Sequence, residues 1–415
     1  MTETHIVGFE LLLLIAAVVA MIAQRLRLPF TVGLVLAGVG IAFVPIPIQL
    51  TLTKELIFTA FLPPLIFEAA LHMRWKPLRK DAPVIVTFAS VGVLLSAGLT
   101  AAGMHWLIGW SWASAALLGV LLSATDPVSV IATFKEFGVS GRLRVLMEGE
   151  SLVNDSTAAV AFVTLLAVAM GSAVTPLGIA GTLLLSIFGG IACGAVVTGA
   201  LLLLAGRTSD PLIEITFTTV AAYGSFLLAE HFHLSGVLAV LTAGLMVGNL
   251  GWLGSISERG RTALISFWDY AAFVVNSLIF ILIGLSEAHQ DFLTVLGASA
   301  AAVMLVTAGR ALAIYPLAAL FARSSRLRVP LREQHVLFWG GLRGALALAL
   351  ALGLPAALPH RDQIVTVAFA VVAFSIVVQG MTMQPLLRRL GHLDPNTNTD
   401  DDDDDDVDVD PTPHA

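Results

Sequence analysis

The chain has 415 residues, of which 12% are charged and 57% hydrophobic, with a mean hydropathy of +0.90; a soluble protein carries about 25% charge, so a water-facing surface of ordinary size cannot be built. The net charge of −7 is no guide to partners, because nine of the 29 acidic residues lie in one aspartate run at 400–406, 408 and 410. Without that tail the chain is slightly basic; no nucleic-acid partner is expected, and the single Cys193, mid-way along an apolar run, excludes a disulfide framework or a thiolate metal site.

Apolar runs of bilayer-crossing length recur from end to end. In chain order they predict thirteen spans, at 6–24, 30–46, 55–73, 82–107, 112–134, 145–170, 176–206, 212–231, 234–252, 263–287, 292–321, 334–356 and 363–387. The first has no basic leader, and the chain re-enters the membrane after Gln24-Arg25-Leu26-Arg27, which predicts a retained helix and not a cleaved signal. Cytoplasmic loops collect Lys and Arg. With the N-terminus outside, eighteen of the 22 fall inside and only Lys54 and Arg361 outside, which predicts a cytoplasmic C-terminus. Arg310 and Arg343 are left within spans 11 and 12, where an arginine is costly and by default paired or functional.

The chain also matches itself. LPFTVGLVLAGVG at 28–40 resembles SGVLAVLTAGLMVG at 235–248, with Ala37-Gly38 answering Ala243-Gly244 at an offset of 206. Leu65-Ile66-Phe67 in span 3 answers Leu278-Ile279-Phe280 in span 10 at an offset of 213. Both matches pair span n with span n+7, so the second copy crosses the membrane in the opposite sense. The expectation is an all-α polytopic protein with an inverted-topology repeat of spans 1–6 and 8–13, an architecture of secondary transporters. Equivalent spans 5 and 12 both carry helix breakers, Thr125-Asp126-Pro127 and Gly340-Gly341-Leu342-Arg343-Gly344. Proline removes a backbone donor, so carbonyls near Ala124 and Thr125 need a polar cavity. Two interrupted helices crossing at mid-membrane let Asp126 and Arg343 each offset an opposing helix dipole.

Span 6 carries the remaining chemistry. Spacing by four puts Ser151 and Asp155 on one helical face and Glu150 and Asn154 on the next, about 100° round. Hard monovalent cations take oxygen ligands, and Asp155, Ser151 and the carbonyl near Thr125 offer them for Na⁺. Desolvation favours the neutral form of a buried carboxylate, so such a group can hold a proton or a cation but not both, which is the minimum machinery of an exchanger. Glu150, one residue from that face, needs a partner, and Arg310 in span 11 is the natural one. Glu68 in span 3 either lines an access funnel or pairs with His72 one turn on. Glu148, Glu214, Glu230 and Asp269 lie near span ends, and no histidine spacing suggests a metal site.

FLPPLIFEAAL (61–71), ATDPVSV (124–130), GESLVNDSTA (149–158), NSLIFILIGL (276–285) and WGGLRGALALALALGLP (339–355) together resemble the monovalent cation/proton antiporters, specifically the NhaP and sodium/proton exchanger branch, over about residues 6–390. The resemblance implies a NhaA/NhaP-like antiporter fold and a homodimer in the plasma (inner) membrane, serving pH homeostasis. It divides the chain into a dimerisation domain at 6–73 and 176–287 and an ion-transporting core at 82–170 and 292–390 that moves as an elevator. It makes Asp155 the ion- and proton-binding carboxylate, with Ser151, Thr125, Asp126 and Asn154 completing the ion- and proton-binding set, Glu150 and Arg310 a structural ion pair, and Arg343 the crossed-helix charge. Asn154, in place of the aspartate of electrogenic relatives, implies one-for-one electroneutral exchange. No organic cofactor is implied; the partners are a second copy, lipid, monovalent cations and protons. The acidic tail at 391–415 is too charged to fold alone, so regulation by a folded cytoplasmic domain is not expected. The competing readings are a K⁺/H⁺ antiporter of the same fold and, remotely, an intramembrane aspartyl protease with Asp126 and Asp155 as its dyad. Against the second stand two intramembrane arginines and the lack of Gly-x-Gly-Asp at the second aspartate.

Overall fold

The computed structural model describes residues 3–26, 29–44, 52–126, 130, 134, 138–171, 176–251, 254–288, 290 and 292–392. Arg27, Pro127, Lys135, His289 and the tail from 393, with its aspartate run, lie outside the described residues. The described residues are helical with no strand. In chain order the helices are α1 Glu3–Leu26, α2 Phe30–Ala42, α3 Leu56–His72, α4 Trp75–Ile108, α5 Trp112–Leu121, α6 Arg142–Ala169, α7 Pro176–Ala205 and α8 Pro211–His231. There follow α9 Gly236–Leu250, α10 Glu258–Glu287, α11 Phe292–Leu320, α12 Leu331–Trp339, α13 Ala345–Leu352 and α14 Arg361–Leu390.

Among the described residues seven of these helices, α4, α6, α7, α8, α10, α11 and α14, are long and apolar enough to cross a bilayer. Five shorter apolar helices fall in α1, α2, α3, α5 and α9. Their ends follow local chemistry. The Ser111, Ser235 and Ser257 hydroxyls accept backbone N–H groups at the starts of α5, α9 and α10, and the Asp210 carboxylate does the same for α8, whose first residue is Pro211. Gly391, at φ 74°, closes α14. Two helices start well before their apolar runs: α10 at Glu258, five residues before 263, with Arg259 and Arg261 inside it, and α4 at Trp75, seven residues before the run at 82, with Lys76, Arg79 and Lys80 inside it. For α4 the reason is amphipathicity, because Asp81, Val84 and Ile85 face inward while Lys76, Arg79 and Lys80 stay exposed. Pro83 is absorbed within the helix and a π-type turn follows at Phe88–Gly92.

The closest helix packings fall in two sets. One joins α2 to α10, α3 to α9, and α9 to α7 and α8; the other joins α4, α5, α6, α11 and the segments after it. Within the first set, a Cβ on Gly38 would run into the backbone of Ile281 and Gly284, and one on Gly284 into the backbone of Val35. A Cβ on Gly244 or Gly248 would meet the backbone of Phe67 or Leu71. In lipid, where helices gain little from the hydrophobic effect against each other, such small residues let backbones approach. A separate buried cluster, including Ile85, Phe88, Met147, Ile314, Val329, Val336 and Leu387, is drawn only from the second set.

Candidate functional site

The site lies where two chain breaks meet. α5 ends at Leu121 and Leu122–Asp126 is non-helical, while α12 stops at Trp339 and α13 restarts at Ala345. Each break is completed by the other. The Asp126 N–H donates to the Leu342 carbonyl at 2.7 Å. One Arg343 nitrogen donates to the Ser123 and Ala124 carbonyls at 2.8 and 2.9 Å. The carbonyls expected to be freed near Ala124 are therefore taken by an arginine, at the C-terminal end of α5 where a positive charge is favoured. In return the Asp126 carboxylate packs on Gly344, directly before the N-terminus of α13. No side chain fits at 344 without displacing that carboxylate. Gly344→Ala is expected to destabilise by about 1–3 kcal/mol, as overpacking does, and a thermal melt in detergent reads it.

Around this crossing, α6 supplies a chain of hydrogen bonds. The Asn154 amide donates to Thr125 Oγ1 at 2.5 Å and to Glu150 Oε1 at 2.9 Å, and its oxygen accepts the Thr125 N–H at 3.0 Å. Thr125 Oγ1 in turn donates to Ser151 Oγ at 3.0 Å. Glu150 accepts two parallel bonds from Arg310, at 2.6 and 2.8 Å, the strong fork geometry of guanidinium and carboxylate. Arg310 also donates to the Leu337 carbonyl at 2.9 and 3.2 Å, which satisfies an acceptor orphaned in the last turn of α12. An ideal Cβ at Gly341 would lie 2.6 Å from Arg310 Nε, so the break glycine also makes room for the pair.

Asp155 is the exception in this satisfied network. It is 3% exposed, and its Oδ1 is buried with no hydrogen-bond partner. Asp126, Glu150 and Arg343 are near enough to act on it through their charges. Ser151 lies one turn before it on the same face, and Thr125 is 0% exposed. Ser151 and Thr125 are thus joined to each other by a hydrogen bond beside the crossing, and Asn154 ties Thr125 to Glu150.

Residues 12–389 match the sodium/hydrogen exchanger transmembrane family. The chain belongs to this family. It is 40% identical to the Na⁺/H⁺ antiporter ApNhaP of Aphanothece halophytica over 374 residues, 88% of this chain and 70% of that protein. It is 38% identical to the low-affinity Na⁺/H⁺ antiporter NhaS1 of Synechocystis over 369 residues, 88% of this chain and 70% of that protein. In fold it is similar to the sodium proton antiporter MjNhaP1 of Methanocaldococcus jannaschii, with a TM-score of 0.72 at 20% identity, covering 93% of this chain and 99% of that one. The family is one of transporters, so the protease reading falls.

This exchanger-family chain has further polar groups near the site. Ser375 and Gln379, in a π-type turn of α14, were not anticipated: Ser375 Oγ accepts the Arg343 N–H at 2.8 Å and donates to Gln379 Oε1 at 2.7 Å. Two polar residues four apart in an apolar run were the available sign. Glu287, at the end of α10, is another omission; it is 6% exposed, and its Oε1 has no hydrogen-bond partner. Glu68 does pair with His72, at 3.5 Å, but His72 Nε2 is also 3.1 Å from Asp269. The three ligand atoms lie within 4.8 Å of one another, a grouping that no spacing reveals, since Asp269 is 197 residues further along.

Proposed function

We propose that the protein is a secondary transporter that exchanges Na⁺, and Li⁺ where it fits, for H⁺, with cation and proton competing for Asp155. The observation that carries this reading is a buried carboxylate oxygen without a partner, one helical turn after Ser151, which accepts from Thr125 next to the crossing of two broken helices. A group desolvated on all sides must be neutralised by a proton or a cation. The names of the antiporters at 38–40% identity support Na⁺ as the cation. The test is proton movement in proteoliposomes, followed with an internal pH dye as Na⁺, Li⁺ or K⁺ is added. Response to Na⁺ upholds the reading, response to K⁺ alone favours the K⁺/H⁺ alternative, and silence from folded protein removes both.

The finer architecture is proposed with it: thirteen spans with the C-terminus cytoplasmic, in an inverted repeat of spans 1–6 and 8–13. Seven long helices, five short apolar ones and the broken pair α12 and α13 match that count. The repeat is supported by packing that exchanges under the n+7 relation. Gly38 of α2 seats on α10 just as its counterpart Gly244 of α9 seats on α3. The two packing sets favour a dimerisation domain at 6–73 and 176–287 and a core at 82–170 and 292–390 that moves between access states. Glu68 and His72 would then face the route to the site.

Exchange is expected to be electroneutral, because Asn154 adds no titratable charge beside Asp155. A K⁺ diffusion potential clamped by valinomycin is therefore expected to leave the Na⁺-driven rate unchanged within a factor of about two, where one net charge moved per cycle across 100 mV is worth about 2.3 kcal/mol. A rate that follows the imposed potential refutes one-for-one exchange.

A further inference from the structure

At the end of the molecule where α3 and α14 finish and α4, α6 and α12 begin, a cavity of about 760 Å³ opens. It is within the range of about 300–1,000 Å³ that holds ligands, yet its chemistry is unlike that of the ion site. Six Lys and Arg side chains line it, Arg74, Lys76, Lys80, Arg142, Arg144 and Arg326, against the carboxylates of Asp81 and Glu148. Both carboxylates are already engaged, Asp81 by Arg142 at 2.8 Å and Glu148 by Arg144 at 2.6 Å. Arg74, Lys76, Lys80 and Arg326 are exposed and, among the described residues, have no carboxylate within ion-pair distance. An excess of four positive charges thus converges on one recess, and such a recess attracts an anion.

The chain carries a counterpart of opposite sign. α14 ends in the packing set that walls this recess: Leu387 belongs to one buried cluster with Val329 and Val336, Arg326 lines the cavity and its guanidinium donates to the Lys80 carbonyl, and Arg142 of the cavity wall bonds the Leu327 and Arg328 carbonyls. From His392 the aspartate run begins eight residues on, at Asp400. Eight residues reach at most about 26–29 Å, enough to cross one end of such a bundle. Seven consecutive aspartates, then Asp408 and Asp410, place nine negative charges within eleven residues.

We propose that this aspartate run docks in the basic cavity and slows transport, and that rising ionic strength releases it. The cavity is walled by α4 and α6 of one packing set and by the end of α3 of the other, so a segment lodged there ties the two sets together. The docking rests on charge and reach alone; the slowing rests on the exchange reading above. Single exposed ion pairs are weak, but tethering supplies an effective concentration in the millimolar range, so several weak contacts suffice. Because screening shortens from about 10 Å at 0.1 M salt to about 3 Å at 1 M, the contact loosens as internal salt rises, when cation export is needed.

The test uses the full-length chain in phosphatidylcholine nanodiscs, compared with a variant in which the nine aspartates are replaced (Asp400→Asn to Asp406→Asn, Asp408→Asn, Asp410→Asn). Acylation of Lys76 and Lys80 by an amine-reactive ester is read by mass spectrometry, with Lys54 as the reference. At low salt the parent is expected to show at least threefold slower labelling of Lys76 and Lys80 than the variant, the difference vanishing near 1 M salt, and the variant to exchange at least twofold faster in liposomes. Equal labelling overturns the proposal. So does protection that is the same in both proteins and arises only when phosphatidylglycerol is added, which makes a lipid headgroup the occupant. Tail-dependent protection with equal exchange rates overturns the slowing; tail-dependent protection in a protein that moves no protons upholds docking while the exchange reading fails.

Discussion

Asp155→Asn is expected to reduce cation-driven proton movement to the background of protein-free vesicles while leaving the melting temperature unchanged or raised. The two halves of this expectation have one cause. Asp155 Oδ1 is buried and receives no hydrogen bond, so the fold bears the desolvation of this carboxylate without a hydrogen bond to that oxygen in return. Removing the charge takes away the carboxylate proposed to alternate between proton and cation, while relieving the structure around it. Dye-monitored exchange and a thermal melt on one preparation decide the matter. Exchange that survives, or a melting temperature that falls as far as in a broken ion pair, would sink the assignment.

The opposite balance is expected for Glu150 and Arg310. Each is buried, and each leaves an uncompensated charge when its partner is removed, so Glu150→Ala or Arg310→Ala is expected to cost about 3–5 kcal/mol. The double replacement should cost less than the two singles added, with a coupling of about 0.5–3 kcal/mol. Geometry adds an asymmetry: Arg310 also serves the Leu337 carbonyl, whereas Glu150 loses only Arg310 and Asn154. Arg310→Ala is therefore the worse single change. A four-member series of melting curves tests both points, and strictly additive losses would contradict the pairing.

The charged members of the site were legible because charges inside apolar spans are rare enough to stand alone. Asp155, Asp126, Glu150, Arg310 and Arg343 could be named, and two paired, from spacing and cost. The backbone groups those charges serve were not legible. Nothing in a string of letters says that the Leu337 carbonyl faces Arg310, or that the Ser123 and Ala124 carbonyls are closed by Arg343 from 220 and 219 residues away. Ser375 and Gln379 are not legible because a hydroxyl in an apolar helix commonly satisfies itself on its own backbone; here it accepts the Arg343 amide in the break between α12 and α13. The early start of α4 was hidden for the opposite reason. A search for apolar runs discards Lys76, Arg79 and Lys80, although the helix needs only one inward face to continue.

The mutual completion of the two breaks also sets a clock on biosynthesis. Ser123 and Ala124 emerge early, yet the guanidinium that closes their carbonyls belongs to a residue 220 positions later. At about 5–20 residues per second, the first break waits about 10–45 s for its partner. Over that interval the nascent first half must shelter open carbonyls and the buried Glu150, whose own partner Arg310 is 160 residues away. Residues 1–200 on their own are therefore expected to lack the groups that close the first break and neutralise Glu150, so that the first half completes its fold only with the second.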